Sequence, residues 1–321
     1  MSAAAVRALS PLQMEVREGL SRPQKELSPK LFYDRRGSLL FEEITRLPEY
    51  YLTRAERELL ATRMPEPIAR LKPRTLVELG AGSADKTRLL LDAIRAASGH
   101  GGSDGTYVPI DVSAEFLREV SDRLGEERPA LRVLPVVADM SESLELPQVL
   151  PRPALFALLG STIGNFDTMD AVALLRRVRD AMCPEDRFLL GVDLRKDPRV
   201  IEAAYNDAAG VTAEFNRNVL RVLNRELGAN FDPHDFVHRA FYEPHAHRIE
   251  MHLVARRALC VTIPGVGTVG FREGESIRTE ISCKYDRDTV YGLFADAGLA
   301  LDEWIRGDGP AYALALASPV P

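Results

Sequence analysis

Apolar and polar positions along the chain fall into stretches of different rhythm. Residues 1–73 carry helical periodicity, weakly over 12–20 and more clearly over 54–69, where charged residues flank an apolar face. Between them lies LFYDRRGSLLFEEITRLPEYYLT, which gathers Phe32, Tyr33, Phe41, Tyr50 and Tyr51 near turn-forming residues and reads as an aromatic, loop-rich patch. From Leu76 the rhythm becomes strand, helix, strand, helix. Short apolar runs at 75–79, 107–112, 132–138, 155–159 and 188–192 predict strands, and amphipathic stretches at 83–95, 113–124 and 171–182 predict helices between them. That alternation implies a doubly wound parallel sheet. After Asp193 the rhythm breaks: 200–227 reads as helix, and 237–270 alternates in the manner of antiparallel strands. A helix at 287–297 and two strands, 300–305 and 312–317, then restore the α/β pattern, with 306–310 as the turn of a closing hairpin.

The first of those strands runs into a glycine-rich turn, TLVELGAGSADKT. Gly80 and Gly82 let the backbone bend beside a ligand, Ser83 is placed to cap the following helix, and free N-terminal amides would face the ligand. A P-loop needs glycine where this chain has Asp85, whose charge would repel a triphosphate, although Lys86 and Thr87 fit. A dinucleotide fingerprint lacks its third glycine at the same position. The turn of a class I S-adenosylmethionine (SAM) methyltransferase asks only for an acid and then glycines, met by Glu78, Gly80 and Gly82. An ordinary strand–helix turn would look the same, so the rest of the chain has to decide.

Composition narrows the field. The 321 residues favour about two domains, and 45% apolar content is ample for a core. With 41 basic against 47 acidic residues and a formal charge of −6, there is no positive field for a nucleic acid, which is not expected as a partner. Cys183, Cys260 and Cys283 are widely spaced, which argues against a zinc ribbon or a disulfide framework and fits a cytoplasmic chain. The N-terminal MSAAAVRALSPLQMEVREGL lacks a signal-type apolar core, and no stretch reaches membrane-spanning length.

Acids recur where a doubly wound sheet binds ligands, outside the carboxyl ends of its strands. Asp111 lies 31 residues after Gly80 at the end of the second strand, where a carboxylate can accept from both hydroxyls of a ribose. Asp139 and Met140 end the third, suited to an adenine amino group and ring, and Lys86 could offset a carboxylate. Other patterns fail. GSTIG at 160–164 has Thr162 where a hydrolase elbow needs serine, and neither His234 with His238 nor His245 with His247 carries the glutamate of a zinc motif. These histidines read as polar surface residues, and no metal is expected.

Seven segments together are more specific: FYDRRGS, ITRLPEYY, LVELGAGSADKT, LLGSTIGNF, AAYNDAAGVTAEFNRNVL, RIEMHL and TEISCKY. Over nearly its whole length the chain resembles the histidine-specific Nα-methyltransferases of ergothioneine biosynthesis. That resemblance implies a class I (Rossmann-like) SAM methyltransferase sheet with an α+β substrate domain built from the N-terminal segment and an insertion. The expected division is 59–195 plus 286–321 for SAM binding and 1–58 plus 196–285 for the substrate. It implies SAM contacts at Gly80, Lys86, Asp111, Asp139 and Met140, the last departing from a frequent aromatic. Substrate contacts would fall on Tyr50, Asn165, Tyr205, Met251, Glu280 and Ser282, with Tyr33 and Asn165 at the methyl-transfer centre. The implied reaction places three methyl groups on the α-amine of L-histidine, giving hercynine; the alternative acceptor is another amino acid or biogenic amine such as tryptophan or tyrosine. Glu280 and Ser282, two apart on a strand, would face one way and offer an acceptor and a donor to the two nitrogens of a neutral imidazole. A monomer with a small-molecule substrate is expected.

Overall fold

The computed structural model describes residues 9–99, 104–309 and 311–320. The first eight residues of the stretch read for a targeting signal, and Pro310 in the expected hairpin turn, lie outside the described residues.

The N-terminal segment is more helical than its aromatic-rich stretch suggests. Helix α1 (Pro11–Ser21) begins in a capping box, with the Gln13 amide donating to the Ser10 hydroxyl at 3.2 Å and the Ser10 amide to the Gln13 side chain at 2.8 Å. A two-residue strand, β1 (Lys25–Glu26), and a single 3-10 turn, Pro29–Phe32, follow. Helix α2 (Arg35–Ile44) then occupies part of the stretch expected as loop, started by Asp34, whose carboxylate accepts the Gly37 amide at 2.8 Å. The helix expected over 54–69 is two, α3 (Leu52–Arg63) and α4 (Pro65–Leu71). Pro65 has no N–H to continue the first and suits the start of the second.

The central sheet is built from β2 (Thr75–Leu79), β3 (Thr106–Asp111), β4 (Arg132–Val133), β5 (Val136–Val137), β6 (Ala154–Leu158) and β7 (Arg187–Asp193), with α5 (Thr87–Ala97), α6 (Ala114–Glu127) and α7 (Thr168–Ala181) between them. All of β2 and β6 is buried, as parallel strands covered on both faces must be. The expected strand over 132–138 is split into β4 and β5 at Pro135, which cannot donate to a ladder and is tolerated because this is the sheet's edge. Ser83 does not cap α5, which starts at Thr87; the positive φ angles of Gly82 and Ala84 hold the intervening chain out of the helix.

The insertion comprises α8 (Pro198–Tyr205), α9 (Val211–Leu227), β8 (Phe236–Glu243), β9 (Arg248–Ala255), the hairpin β10 (Leu259–Ile263) and β11 (Gly267–Phe271), and β12 (Ser276–Cys283). The helical run expected over 200–227 is broken at 206–210, where Gly210 at φ +75 precedes α9 and the Asp207 carboxylate accepts the Val211 and Thr212 amides at 2.8 and 2.7 Å. Strands β12, β9 and β8 are antiparallel, and β1 joins them alongside β12. Helix α2 lies against α9, so N-terminal segment and insertion share a core.

Helix α10 (Arg287–Ala297) and the hairpin of β13 (Leu299–Arg306) and β14 (Tyr312–Pro319) complete the chain. The central order is β13-β14-β7-β6-β2-β3-β4, with β5 also on β3; β14 runs antiparallel to β7 and the inner strands are parallel. Because β3 follows β2 on one side and β6 lies on the other, the strand order reverses at β2 and opens a crevice at the carboxyl ends. Among the described residues, no helix is long and apolar enough to cross a membrane, and no three His, Cys, Asp or Glu side chains cluster as a metal site.

Candidate active site

The crevice above β2 opens into a cavity of about 700 Å³. Its floor is the glycine turn. Gly80 has φ +69, which favours glycine, and a Cβ there would stand 3.2 Å from Met140 Cε, a tight contact with the side chain lying over the turn. Asp111, at the end of β3, accepts the Gly82 amide at 3.1 Å and the Ser113 amide at 3.0 Å. Burial raises its carboxyl above the ordinary value and these backbone donors pull it back. Each of its oxygens keeps a lone pair for a further donor. Asp139 is held by Ser141, through its amide at 2.9 Å and its hydroxyl at 2.5 Å, and by Lys30 at 3.1 Å. Partial burial pushes this carboxyl up, but the Ser141 and Lys30 bonds outweigh it and hold it below the usual range.

Lys86 lines the same cavity and is ion-paired to Glu56, a fully buried carboxylate at the far side of the turn. Glu56 also accepts the Gly160 amide at 2.8 Å and the Tyr312 hydroxyl at 2.7 Å, tying α3, the turn after β6 and β14 together. The carboxylate that Lys86 offsets within the protein is therefore that of Glu56. Glu56 carries no sequence signal beyond one acid in an amphipathic helix.

Tyr33, Tyr50 and Asn165 line the same cavity. Tyr33 follows the Pro29–Phe32 turn and packs edge-on to Phe41 and Phe215, with ring centroids 5.8 and 5.6 Å away. Tyr50 precedes α3 and packs edge-on to Tyr205 at 6.4 Å. Asn165 ends a 3-10 turn, Thr162–Asn165, in which a Cβ on Gly164 would stand 2.9 Å from the Cys283 carbonyl. That close approach seats the turn directly on β12. Among the described residues, no hydrogen bond reaches the Tyr33 or Tyr50 hydroxyl or the Asn165 amide.

Glu280 lies on β12 opposite Met251 of β9, just past a bulge at Arg278–Glu280. It lines a second cavity, of about 380 Å³, that shares Ser28, Pro29, Asn165 and Asp170 with the first. Among the described residues, none hydrogen-bonds its carboxylate. Enclosure pushes the carboxyl up to about 7, and the Lys284 ammonium is the charge that opposes the rise. Tyr33, Tyr50 and Tyr205 all feel the Glu280 charge, and burial first, then that charge, drives the Tyr33 and Tyr205 phenols well above their ordinary range.

Tyr205, Ser282 and Met251 line neither cavity; each is buried, Met251 to 1% exposure. Ser282 is therefore not the open prong that its spacing from Glu280 implied. Its hydroxyl is 2.8 Å from that of Tyr205 and accepts the Lys284 ammonium at 2.8 Å. His238 also departs from a surface role: its Nε2–H donates to the Tyr205 carbonyl at 2.9 Å and its Nδ1 accepts from Asn216 at 2.9 Å, which fixes the tautomer and steadies the end of α8.

A family model described as "Histidine-specific methyltransferase, SAM-dependent" matches residues 12–319. The chain is 44% identical over 316 residues to the histidine N-alpha-methyltransferase of Mycolicibacterium smegmatis, covering 98% of this chain and 97% of that one. It is 43% identical over 309 residues to its namesake in Mycobacterium tuberculosis, covering 96% and 94%. A SAM-dependent methyltransferase of Clostridium acetobutylicum, 12% identical, superposes with a TM-score of 0.51 over 88% of this chain and 98% of its own, a likeness of fold.

Proposed function

The chain belongs to the SAM-dependent histidine-specific methyltransferases, and on that premise we propose that it transfers three methyl groups to the α-amino nitrogen of L-histidine, giving hercynine for ergothioneine biosynthesis. The observation that carries the acceptor is Glu280: a carboxylate in the second cavity with no hydrogen-bond partner among the described residues, whose charge is felt by three tyrosines beside the cofactor crevice.

The crevice fits SAM by its own chemistry. Gly80 and Gly82 leave the turn bare, with nothing within 4 Å of a Cβ placed on Gly82, and Asp111 keeps acceptor capacity for ribose hydroxyls. We assign Gly80, Lys86, Asp111, Asp139 and Met140 to the cofactor, Lys86 acting together with Glu56. When bound, SAM supplies an electrophilic methyl group on a sulfonium. The remaining work belongs to side chains that orient the acceptor.

Glu280 accepts the imidazole N–H, a role that satisfies both the ligand and the carboxylate. Asn165, on the wall common to both cavities, presents an amide that can orient the amine and bind the carboxylate, and Tyr50 adds a hydroxyl for the carboxylate, with Tyr205 assigned to the same task from behind it through their edge-on ring contact. Tyr33 stays protonated because burial and the Glu280 charge disfavour its phenolate. It acts as a hydrogen-bonding group at the amine rather than as an ionised base, and water takes the proton the amine must lose. Holding the amine in line with the methyl supplies the bulk of the acceleration. We assign 59–195 plus 286–321 to the cofactor and 1–58 plus 196–285 to the acceptor, although the 58/59 boundary falls inside α3 (Leu52–Arg63).

Mass spectrometry of the protein incubated with SAM and, separately, histidine, tryptophan and tyrosine tests the proposal. Trimethylated histidine is the expected product. Methylation of another amine with histidine untouched would overturn it.

A further inference from the structure

A partly buried cation joins the aromatic-rich stretch to the side of the molecule that holds the glycine turn. Lys30, in the Pro29–Phe32 turn, lines the first cavity together with Asp139 and Met140. Its ammonium lies 3.0 Å from Glu15 of α1 and 3.1 Å from Asp139, with Glu142 at 3.8 Å. Asp139 Oδ1 accepts both the amide and the hydroxyl of Ser141, which uses its two lone pairs; Oδ2 gives one lone pair to Lys30 and keeps one. On the cofactor assignment, that last lone pair is open to the adenine amino group.

The turn that carries Lys30 leads directly into Tyr33. The Tyr33 amide donates to the Lys30 carbonyl at 3.3 Å and the Leu31 amide to the Ser28 carbonyl at 3.1 Å, so both side chains leave one short segment closed by its own hydrogen bonds. On one side that segment is tied to α9. Phe32 is wholly buried with its ring 4.6 Å from that of Phe215, and the Asn218 side-chain amide donates to the Phe32 carbonyl at 3.3 Å and to Asp34 at 2.8 Å. Toward the central sheet, among the described residues, Lys30 and Arg35 are the members of 28–44 that form ion pairs. Arg35 reaches Glu119 of α6 at 3.2 Å, but both side chains are half-exposed and such a pair is worth little. The Lys30–Asp139 pair is less exposed, at 33% and 20%, and lies on the cavity wall.

We propose that Lys30 is a positioning residue for methyl transfer: paired with Asp139, it holds the turn that places Tyr33 in fixed relation to the adenine end of the bound cofactor. This rests on the histidine reading above. A neutral side chain at position 30 leaves Asp139 its two bonds from Ser141, so the cofactor acid stays in place, while the turn loses its tie to it. A misplacement of about 1 Å at a reacting centre can cost about 100-fold in rate, so a modest ion pair is enough to matter to kcat.

The experiment uses the full chain and, as probe, S-adenosylhomocysteine (SAH), the demethylated cofactor. Hydrogen exchange read by mass spectrometry is followed with and without SAH, in the wild type and in Lys30→Met. In the wild type SAH is expected to slow exchange at least about fivefold over 28–34 as well as over 80–87. Lys30→Met should abolish the first protection and keep the second. Absence of protection over 28–34 in the wild type, or its persistence in the variant, overturns the proposal, and neither measurement needs an acceptor. In kinetics at saturating SAM and histidine, Lys30→Met should lower kcat at least about tenfold, with SAH and histidine affinities from calorimetry each within about threefold, and Lys30→Arg should restore kcat to within about threefold of the wild type. Arg35→Met, the exposed tie, should leave kcat within about twofold. An unchanged kcat in Lys30→Met, a matching loss of either affinity, or an equal loss in Arg35→Met overturns the proposal. Should Lys30→Met not fold, the wild-type exchange and Lys30→Gln, held to the same expectations, decide. Formation of trimethylhistidine by the wild type is the control for the histidine reading; its absence defeats that reading, while hydrogen exchange still decides on Lys30.

Discussion

The glycine turn and the pocket on β12 solve opposite problems. At the turn the acids are already engaged: Asp111 by the Gly82 and Ser113 amides, Asp139 by Ser141 and Lys30, and Lys86 by Glu56. Their directions are fixed before any ligand arrives. Around Glu280, the Tyr33 and Tyr50 hydroxyls, the Asn165 side-chain amide and the carboxylate itself have no hydrogen-bond partner among the described residues, and the carboxyl is raised to about 7 by enclosure. Backbone donors hold Asp111 in the first region; the second retains polar groups on the cavity walls that are open to a ligand. The difference teaches where selectivity lies. On the proposed assignment, the engaged acids serve the cofactor and the unpaired groups choose the acceptor.

Truncation of Glu280 breaks the contrast most sharply. Glu280→Ala should lower kcat/KM for histidine by about 1,000-fold while leaving SAM affinity within about twofold, because a site built around a ligand hydrogen bond loses far more than area when that partner is removed. Steady-state kinetics with isothermal calorimetry of SAM separates the two. Parallel losses would mean that the β12 pocket and the turn act as one unit.

The reverse experiment perturbs the turn. Gly80→Val places a β-branched side chain at φ +69 and against Met140, a strain of roughly 1–3 kcal/mol. SAM affinity should fall about 10- to 100-fold, with the occupancy of histidine, followed by calorimetry without cofactor, changed less than about threefold. Loss of histidine binding to the same extent would contradict the division of labour.

A smaller effect sharpens the electrostatic half of the comparison. Glu280 titrates near 7 in the folded protein against an ordinary 4.5, so the folded state binds its proton more tightly than the unfolded one. The stability tied to that proton is full below about 4.5 and is lost as pH rises through about 7. Glu280→Gln removes the loss: the variant should be more stable than the wild type by about 1–3 kcal/mol near pH 8 and no more stable near pH 4, read by thermal or urea unfolding. A gain of the same size at both values would show that packing, not charge, is responsible. The same variant should turn histidine over poorly, so stability and selectivity move in opposite directions at one side chain.

Much of the fold was legible in the apolar runs. The buried strands β2 and β6 read directly from TLVEL and the run at 155–159, and the closing hairpin from its two flanking runs, because burial on two faces writes continuous apolar sequence. Boundaries set by single residues were less visible. Pro65 splits a helix, Pro135 splits a strand, and Asp207 holds the first turn of α9, through hydrogen bonds that a single residue withholds or supplies and that periodicity does not register. Helix α2 went unread because its aromatic neighbours looked like turn fillers, although the N-cap of Asp34 was present in the sequence.

For the site, the sequence by itself determined the parts that depend on local order. A glycine turn after a buried strand, acids at successive strand ends and the motifs around Tyr50, Asn165, Tyr205 and Glu280 are each contained in a few consecutive residues. Only the tertiary structure decided what those residues touch. It put Ser282 behind the wall with Tyr205 and Lys284 instead of leaving it open, paired Lys86 with Glu56 across 30 residues, and left Glu280 without a partner. The reason is physical. Conformation within a turn is fixed by neighbours in the chain, whereas a buried charge is fixed by whichever groups packing brings within about 3 Å of it, and no local pattern records which those are.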